Sequence, residues 1–152
     1  MKVREIMTKD VTSISTEMNA KEALDLLQKM QISGLPVMDA NKKLVGMFTE
    51  KEVLSSILPS YIEKVGRFVY AENPKAVKQK ARALSAIKVK DIMRQNVITV
   101  DEDAALCEVA HLMLTQKARR IPVLNKTREV VGIVSRGDIL RALFEEYSSD
   151  TP

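Results

Sequence analysis

The sequence predicts an α+β fold built from two copies of one βαββα unit. Three observations predict it. Residues 3–54 overlay 89–140 at a constant offset of 86 without a gap. The identities fall on apolar, Pro and Gly positions, which fix a core and a backbone, while polar positions have drifted. Within each copy, strand-like and helix-like hydrophobic spacings follow one another in the same order. Ile6-Met7 matches Ile92-Met93, Val11 matches Val97, Leu26 matches Leu112, Pro36-Val37 matches Pro122-Val123, Val45-Gly46 matches Val131-Gly132, and Leu54 matches Leu140.

Each copy opens with a β-branched run suited to a strand, Val11–Ile14 or Val97–Val100. Ser15-Thr16-Glu17 and Asp101-Glu102-Asp103 then supply oxygens suited to a helix start, where backbone N–H groups and the macrodipole favour them. That role explains the acidic run better than a Mg²⁺ site does. Ala20, Ala23, Leu24 and Leu27, and Leu106, Val109, Ala110 and Met113, recur at the spacing of an amphipathic helix. Leu35-Pro36-Val37-Met38 and Ile121-Pro122-Val123-Leu124 read as short strands with Pro near the start, where a missing N–H is tolerated. A polar turn, Asp39–Lys43 or Asn125–Glu129, leads to Leu44–Phe48 or Val130–Val134, completing a hairpin. The Gly in each returning strand marks a bulge or a close approach. A second helix follows, Lys51–Leu58 or Asp138 to about Tyr147.

The expected organisation is repeat 1 over 1–58, a basic connector over 59–88, repeat 2 over 89–147 and a frayed tail over 148–152. Tyr61, Val65, Phe68 and Val69 stand at helix-like intervals and Pro74 reads as a break, so the connector is expected to be partly helical. Repeats of about fifty residues bury too little apolar surface to be secure alone, so the halves should pack on each other. With 45% apolar residues, 29% charged residues and no Trp, the chain is globular, and its core must be Val, Ile, Leu and Met.

No apolar run approaches the ~18 residues of a membrane span, and Met1–Thr8 is charged where a signal peptide would be apolar. Cys107 is the single cysteine of the chain, which fits a reducing compartment, and a cytoplasmic location is expected. Cys107 and His111 fall on the polar side of their helix, outside any metal or nucleophile constellation. The net charge of +4 is more than accounted for by 59–88, with seven Lys/Arg against two Asp/Glu. Lys75, Lys78, Lys80, Arg82 and Lys88 could meet nucleic acid, although no aromatic residues are interleaved for stacking.

The ordered set of Ile-Met lead-in, hydrophobic-Pro-Val strand, Val-Gly-hydrophobic strand and closing Ser/Thr-x-x-acid segment, present twice, resembles the cystathionine β-synthase (CBS) domain. Two such domains form a Bateman module, and a stand-alone one is expected. The resemblance implies pseudo-two-fold packing of the repeats through their sheets. It implies two clefts for an adenosine-containing ligand, AMP, ADP or ATP, and frequent pairing of modules into a disc-shaped homodimer. It further implies an allosteric sensor with no catalytic residues, no metal and no catalytic cofactor, acting on an unidentified target protein.

Binding a nucleotide needs a carboxylate for the ribose hydroxyls, apolar walls for adenine and donors for phosphate. Carried across by residue, the first cleft centres on Asp138 and Ser135, with Gly137, Ile133, Arg119 and Arg120. Thr12, Ser33, Gly34 and Lys51 stand opposite. The second cleft centres on Glu52 and Thr49, with Met47 and Lys51, facing Ile98, Arg119, Arg120 and Arg136. Glu52 departs from the Asp of the family pattern, and its extra methylene pushes the carboxylate outward.

A structural alternative stands beside this. Thr49–Glu52 and Ser135–Asp138 also have the form of capping boxes, which prefer Glu at the fourth position, so Glu52 suits that role better than Asp138 does. Arg119-Arg120 is either a solvated surface pair or a permanently charged phosphate clamp. Three functions follow for the whole: an adenosine-ligand sensor, a nucleic-acid-binding module using the connector, and a structural oligomerisation unit.

Overall fold

The computed structural model describes residues 1–58, 62–64, 67–69 and 74–149. A 3-10 turn at Val3–Glu5 precedes β1 (Ile14–Ser15), α1 (Ala20–Met30), β2 (Gly34–Met38), β3 (Leu44–Thr49) and α2 (Glu50–Ile57). The connector holds β4 (Ile62–Lys64), β5 (Arg67–Val69), α3 (Pro74–Arg82) and a 3-10 turn at Ala83–Ala86. Then come α4 (Val89–Ile92), β6 (Val100–Asp101), α5 (Leu106–Gln116), β7 (Arg120–Leu124), β8 (Val130–Ser135) and α6 (Arg136–Ser149). The fold is α+β, with two three-stranded sheets ordered β1-β2-β3 and β6-β7-β8.

The first strands are shorter than Val11–Ile14 and Val97–Val100, and proline explains it. β1 runs parallel to β2 with Ile14 opposite Val37, and β6 runs parallel to β7 with Val100 opposite Val123. One step upstream, each ladder reaches Pro36 or Pro122, which has no N–H to donate. The helices also begin later than expected. Ser15 Oγ and Asp101 Oδ1 accept from the N–H of Glu17 and Asp103, closing turns ahead of the helices. The cap of α1 is Asn19, whose Oδ1 accepts from Glu22 N–H at 2.8 Å, while Ala105 at the start of α5 gives no side-chain cap. The acids of Asp101–Asp103 therefore do not occupy a first helical turn.

Both α1 and α5 end on a left-handed residue, Gln31 and Lys117, each at φ 55°. Lys42 and Arg128 repeat the same correspondence in the hairpin turns, at φ 62° and 65°. In those turns Asp39 Oδ1 accepts from the N–H groups of Asn41 and Lys43, and Asn125 Oδ1 from those of Thr127 and Glu129. The side chains thus substitute for a backbone turn.

The connector departs from its helix-like reading. Ile62–Lys64 and Arg67–Val69 pair as antiparallel strands, with Glu63 opposite Phe68, while Tyr61 and Val65 lie outside the described residues. Pro74 begins α3 rather than breaking a helix, a position where its fixed φ and missing N–H cost nothing.

The compact units do not coincide with the sequence repeats. One comprises Met1–Ser13, Asp39–Val45 and Asn96–Pro152, the other Ile14–Met38 and Gly46–Gln95. The lead-in of each repeat is therefore built into the body of the other. In the first unit, Val3 N–H donates to Ala104 O (2.8 Å), Arg4 N–H to Glu102 O (3.1 Å) and Leu106 N–H to Met1 O (3.2 Å). In the second, Val89 N–H donates to Met18 O (2.8 Å), Lys90 N–H to Thr16 O (3.2 Å) and Ala20 N–H to Ile87 O (2.7 Å). These are the same three bonds moved by 86 positions. The next pair repeats too: Thr8 exchanges two bonds with Ile133 (2.9 and 3.0 Å), and Arg94 exchanges two with Met47 (2.8 Å each).

Packing follows the hydrogen bonds. Val3 is fully buried among Val109, Met113, Ile121, Val123, Val134 and Ile139, with Ile6 and Met7 packed against the same cluster. Burying a valine contributes about 1.5–3 kcal/mol. In the other unit Val89 and Leu84 are buried together with Ile14, Ala20, Ala23, Leu27, Phe48 and Val53. The strand glycines make room for this exchange. A Cβ on Gly132 would lie 2.3 Å from Met7 Sδ, and one on Gly46 would lie 2.7 Å from Met93 Sδ and 2.8 Å from Arg94 O.

Candidate functional site

The turn from β8 into α6 carries the residues best placed for ligand chemistry. Ser135 ends the strand and Asp138 stands in the first helical turn. The Ser135 N–H donates to Asp138 Oδ2 at 2.9 Å, and the Asp138 N–H donates to Ser135 Oγ at 3.2 Å. This is a complete reciprocal box, made by the aspartate expected to suit it less. Asp138 Oδ1 accepts from Arg141 Nη2 at 2.5 Å. The Asp138 side chain is 12% exposed and that of Arg141 69%, so the cation can swing away while the carboxylate stays.

The matched turn from β3 into α2 is arranged differently, which corrects the expectation for Glu52. Thr49 makes no capping bond; its hydroxyl donates to the Glu52 carboxylate instead. The physical reason lies at Gly34, where an added Cβ would meet Thr49 Cγ2 at 2.7 Å. With its methyl seated over that glycine, the Thr49 hydroxyl faces Glu52 and leaves the backbone N–H groups of α2 uncapped by it.

The unit holding Asp138 also contains Thr12, Ile98, Arg119, Arg120, Ile133, Ser135, Arg136 and Gly137. Ser33, Gly34, Met47, Thr49, Lys51 and Glu52 belong to the other. Within the first, Arg120 is directly opposite Ser135 in the β7–β8 ladder, and Arg136 N–H donates to Arg119 O at 3.2 Å. Three arginines therefore flank the start of α6. Arg119 and Arg136 are exposed and Arg120 half-buried, and none has an ion-pair partner among the described residues. Thr12 is exposed, and Ile98 packs against the core cluster.

Ile133 is buried, and both of its backbone groups are taken by Thr8, so it can offer a ligand only an apolar wall. Met47 is in the same position with respect to Arg94. Gly137 has no such neighbour. A Cβ there would meet Arg141 Nη1 at 3.4 Å and Ser135 Oγ at 3.8 Å, which is ordinary contact or nearly so. The backbone does not demand glycine at this place.

Other sequence candidates have structural partners. Asp103 pairs with Arg4 (2.7 Å) and Lys2 (3.5 Å), tying the exchanged lead-in to its host. Lys88 of the basic stretch pairs with Glu17 at 2.5 Å, and Lys90 joins it at 3.0 Å. Those ammonium groups hold the Glu17 carboxyl below its ordinary pKa, and Glu17 raises that of Lys88. Cys107 and His111 are exposed, and no group of three potential metal ligands occurs among the described residues. Among those residues, no helix is long and apolar enough to cross a membrane.

Two three-stranded sheets of one strand order, exchanged lead-ins and a Ser/Thr-x-x-acid turn after each returning strand define a tandem-repeat α+β module. The CBS domain family model matches residues 3–59 and 89–145, and the chain belongs to that family.

Three similar proteins illustrate it. Inosine-5′-monophosphate dehydrogenase of Methanocaldococcus jannaschii is 30% identical over 92% of this chain, which spans 23% of the length of that enzyme. The CBS domain pair of protein MJ0100, in complex with 5′-methylthioadenosine and S-adenosyl-L-methionine, is 28% identical with a TM-score of 0.68, covering 96% of this chain and 98% of that one. CBSX2 in complex with AMP shares the fold at 24% identity and a TM-score of 0.73, over 96% and 98% of the two chains.

Proposed function

We propose that the protein is a regulatory module that binds an adenosine-containing ligand, of the AMP, ADP or ATP class, and transmits occupancy as a change in conformation or assembly. The observation that carries this reading is the Ser135–Asp138 turn. A nearly buried carboxylate is held in place by a backbone N–H, its second oxygen accepts from an exposed guanidinium, and three arginines without ion-pair partners among the described residues stand beside it. Asp138 accepts from the ribose hydroxyls, Ile133 forms the apolar wall, and the arginines meet the phosphate. The adenosyl ligands of the MJ0100 pair support the ligand class. The module is not itself an enzyme. Its mechanism is differential affinity: the ligand must bind one arrangement of the protein more tightly than another, since equal affinity shifts nothing.

The reading includes a homodimer. A hollow of about 220 Å³ between α5 and α6 is lined by Ala110, Met113, Leu114, Ile139, Leu140 and Leu143, with Arg136 at the start of α6. Leu140 is 55% exposed, and its counterpart Leu54 on α2 is 54% exposed, so the same apolar position is open in both repeats. A second copy is the occupant this supports. The exposed thiol of Cys107 fits a cytoplasmic setting.

Calorimetric titration of AMP and ATP against the wild type and Asp138→Asn tests the proposal. Asn keeps an oxygen for the Ser135 N–H and removes the charge. Binding by the wild type, weakened about tenfold or more by the substitution, is expected, because a hydrogen bond to a charged group contributes about 1.5–3 kcal/mol. Ligand at a hundred times its Kd should also stabilise the fold by about 2.7 kcal/mol. A melt unmoved by AMP, ADP and ATP, together with flat titrations, would end the adenosine reading.

A further inference from the structure

The two repeats place the same backbone under opposite charge. In both, the first N–H of the closing helix bonds back to the residue before the middle strand: Arg136 N–H to Arg119 O at 3.2 Å, and Glu50 N–H to Ser33 O at 2.9 Å. Around the second repeat's turn stand Arg119, Arg120, Arg136 and Arg141 against Asp138. At the matched positions the first repeat has Ser33, Gly34, Glu50, Ser55 and Glu52, with Lys51 in place of Gly137. Four cations against one anion face one cation against two anions. A side chain at Gly34 would force Thr49 to move, because Thr49 Cγ2 lies 2.7 Å from where its Cβ would be.

We propose that the turn of the second repeat is a polyphosphate-selective subsite, in which Arg141 holds the place of the ribose until a ligand arrives. This rests on the adenosine reading above and narrows it to nucleoside di- and triphosphates. Charge matching favours the polyphosphates. Arg136 lines the hollow between α5 and α6, which leaves Arg119, Arg120 and Arg141 for the ligand. Neutral adenosine, cationic sulfonium ligands and a monophosphate each leave at least one of these guanidinium groups uncompensated, whereas a triphosphate supplies enough anionic oxygens for all three. Arginine is suited to this, being permanently charged and able to donate two parallel bonds to one phosphate.

Arg141 has a separate part. Its guanidinium sits 2.5 Å from Asp138 Oδ1 and 3.4 Å from where a Cβ on Gly137 would lie, so it covers the carboxylate oxygen a ribose needs. Ribose binding displaces it, and its exposed position lets it follow the phosphates. A neutral nucleoside loses by this exchange, since it breaks an ion pair and offers the freed cation nothing. A triphosphate recovers the interaction.

The test is a calorimetric series of adenosine, AMP, ADP, ATP and inorganic tripolyphosphate at one salt concentration. It is run on the wild type, Arg119→Ala/Arg120→Ala, Arg141→Ala and Arg141→Lys, with melts to confirm folding. In the wild type, affinity should rise about tenfold per phosphate from AMP to ATP, the scale of one charged hydrogen bond. The double substitution should flatten that rise and leave adenosine binding within about twofold, since neither arginine faces a neutral ligand. Arg141→Ala should tighten adenosine and weaken ATP, and Arg141→Lys should restore most of the wild-type ratio. Equal affinity for adenosine and ATP, or a rise that survives the double substitution, overturns the subsite and leaves the adenosine reading intact. Tripolyphosphate binding that needs the arginine pair, without binding of any nucleoside, keeps the anion subsite and removes adenosine. If nothing binds, both fall.

Discussion

Substituting the two strand glycines by alanine separates a close approach to backbone from a close approach to a side chain. At Gly46 the new methyl lies 2.8 Å from Arg94 O, which accepts the Met47 N–H, and 2.7 Å from Met93 Sδ. Relieving that clash means prising the exchanged segment off β3 and losing both bonds between Arg94 and Met47. Each backbone bond contributes about 1 kcal/mol net. Overpacking adds about 1–3 kcal/mol, and replacing a strand glycine returns about 0.5–1. The net expectation for Gly46→Ala is a loss of about 2–4.5 kcal/mol. At Gly132 all three close atoms belong to Met7, a flexible thioether that can turn aside. Gly132→Ala should therefore cost no more than about 1 kcal/mol. For a chain of this length those losses correspond to about 4–18 °C and about 2–4 °C in Tm. Thermal melts followed by circular dichroism measure both. In a Met7→Ala background, Gly132→Ala should add almost no further loss, whereas in a Met93→Ala background Gly46→Ala should keep much of its cost, because the carbonyl remains. If Gly132→Ala proves the more damaging substitution, the assignment of strain to the Arg94 carbonyl is wrong.

The Glu17 bridge and Gly137 carry two further expectations. Bonds from Lys88 and then Lys90 hold Glu17 below its ordinary pKa of 4.5, so its stabilisation is intact above that value and is lost as pH falls through the lower folded value. The bond to Glu17 holds Lys88 above its ordinary 10.5, so its contribution is intact below 10.5 and is lost as pH rises through the higher folded value. Melts across pH should therefore show Glu17→Gln flattening both limbs by a small amount, salt weakening the difference; superimposable wild-type and variant curves would refute this. Gly137→Ala should stabilise α6 by up to about 1 kcal/mol, as alanine does in a helix, and weaken nucleotide binding by narrowing the space between Ser135 and Arg141. Stabilisation with full binding would remove Gly137 from the site.

The repeat, its element order and its core were legible because they rest on apolar spacing, which a strand or helix prints directly into sequence. So was the close approach at Gly46 and Gly132. Other features depend on what a residue meets after folding. The β1 and β6 boundaries are decided by the missing N–H of Pro36 and Pro122 on a neighbouring strand. The hairpin of β4 and β5 was hidden because Phe68 and Val69 suit either element. At the site, the Ser/Thr-x-x-acid motif was visible, but which copy would cap its helix was not. That turned on the Thr49 methyl over Gly34, a contact between residues fifteen positions apart. Arg141 was missed altogether: its place three residues after Asp138 was the signal, an i, i+3 pair on one helix face.

The exchange of lead-ins changes what counts as the folding unit. A fragment of residues 1–58 contains one sequence repeat but lacks Leu84 and Val89, both buried in the unit that holds α1 and Phe48. It also lacks Arg94, so Met47 loses both partners of its backbone. A fragment of residues 14–95 breaks the sequence repeat yet keeps every one of those contacts, including the Glu17 bridge to Lys88 and Lys90. Losing two buried aliphatic side chains alone removes about 3–6 kcal/mol, comparable to the whole stability of a small domain at about 5–15 kcal/mol. The 14–95 fragment should therefore melt cooperatively and the 1–58 fragment should not, by circular dichroism under the same conditions. The opposite ranking would mean that each repeat folds on its own and that the lead-ins are added afterwards. The expected ranking would mean that a sequence repeat folds only with the lead-in of the other repeat, so that the exchange and not the repeat boundary sets the folding unit.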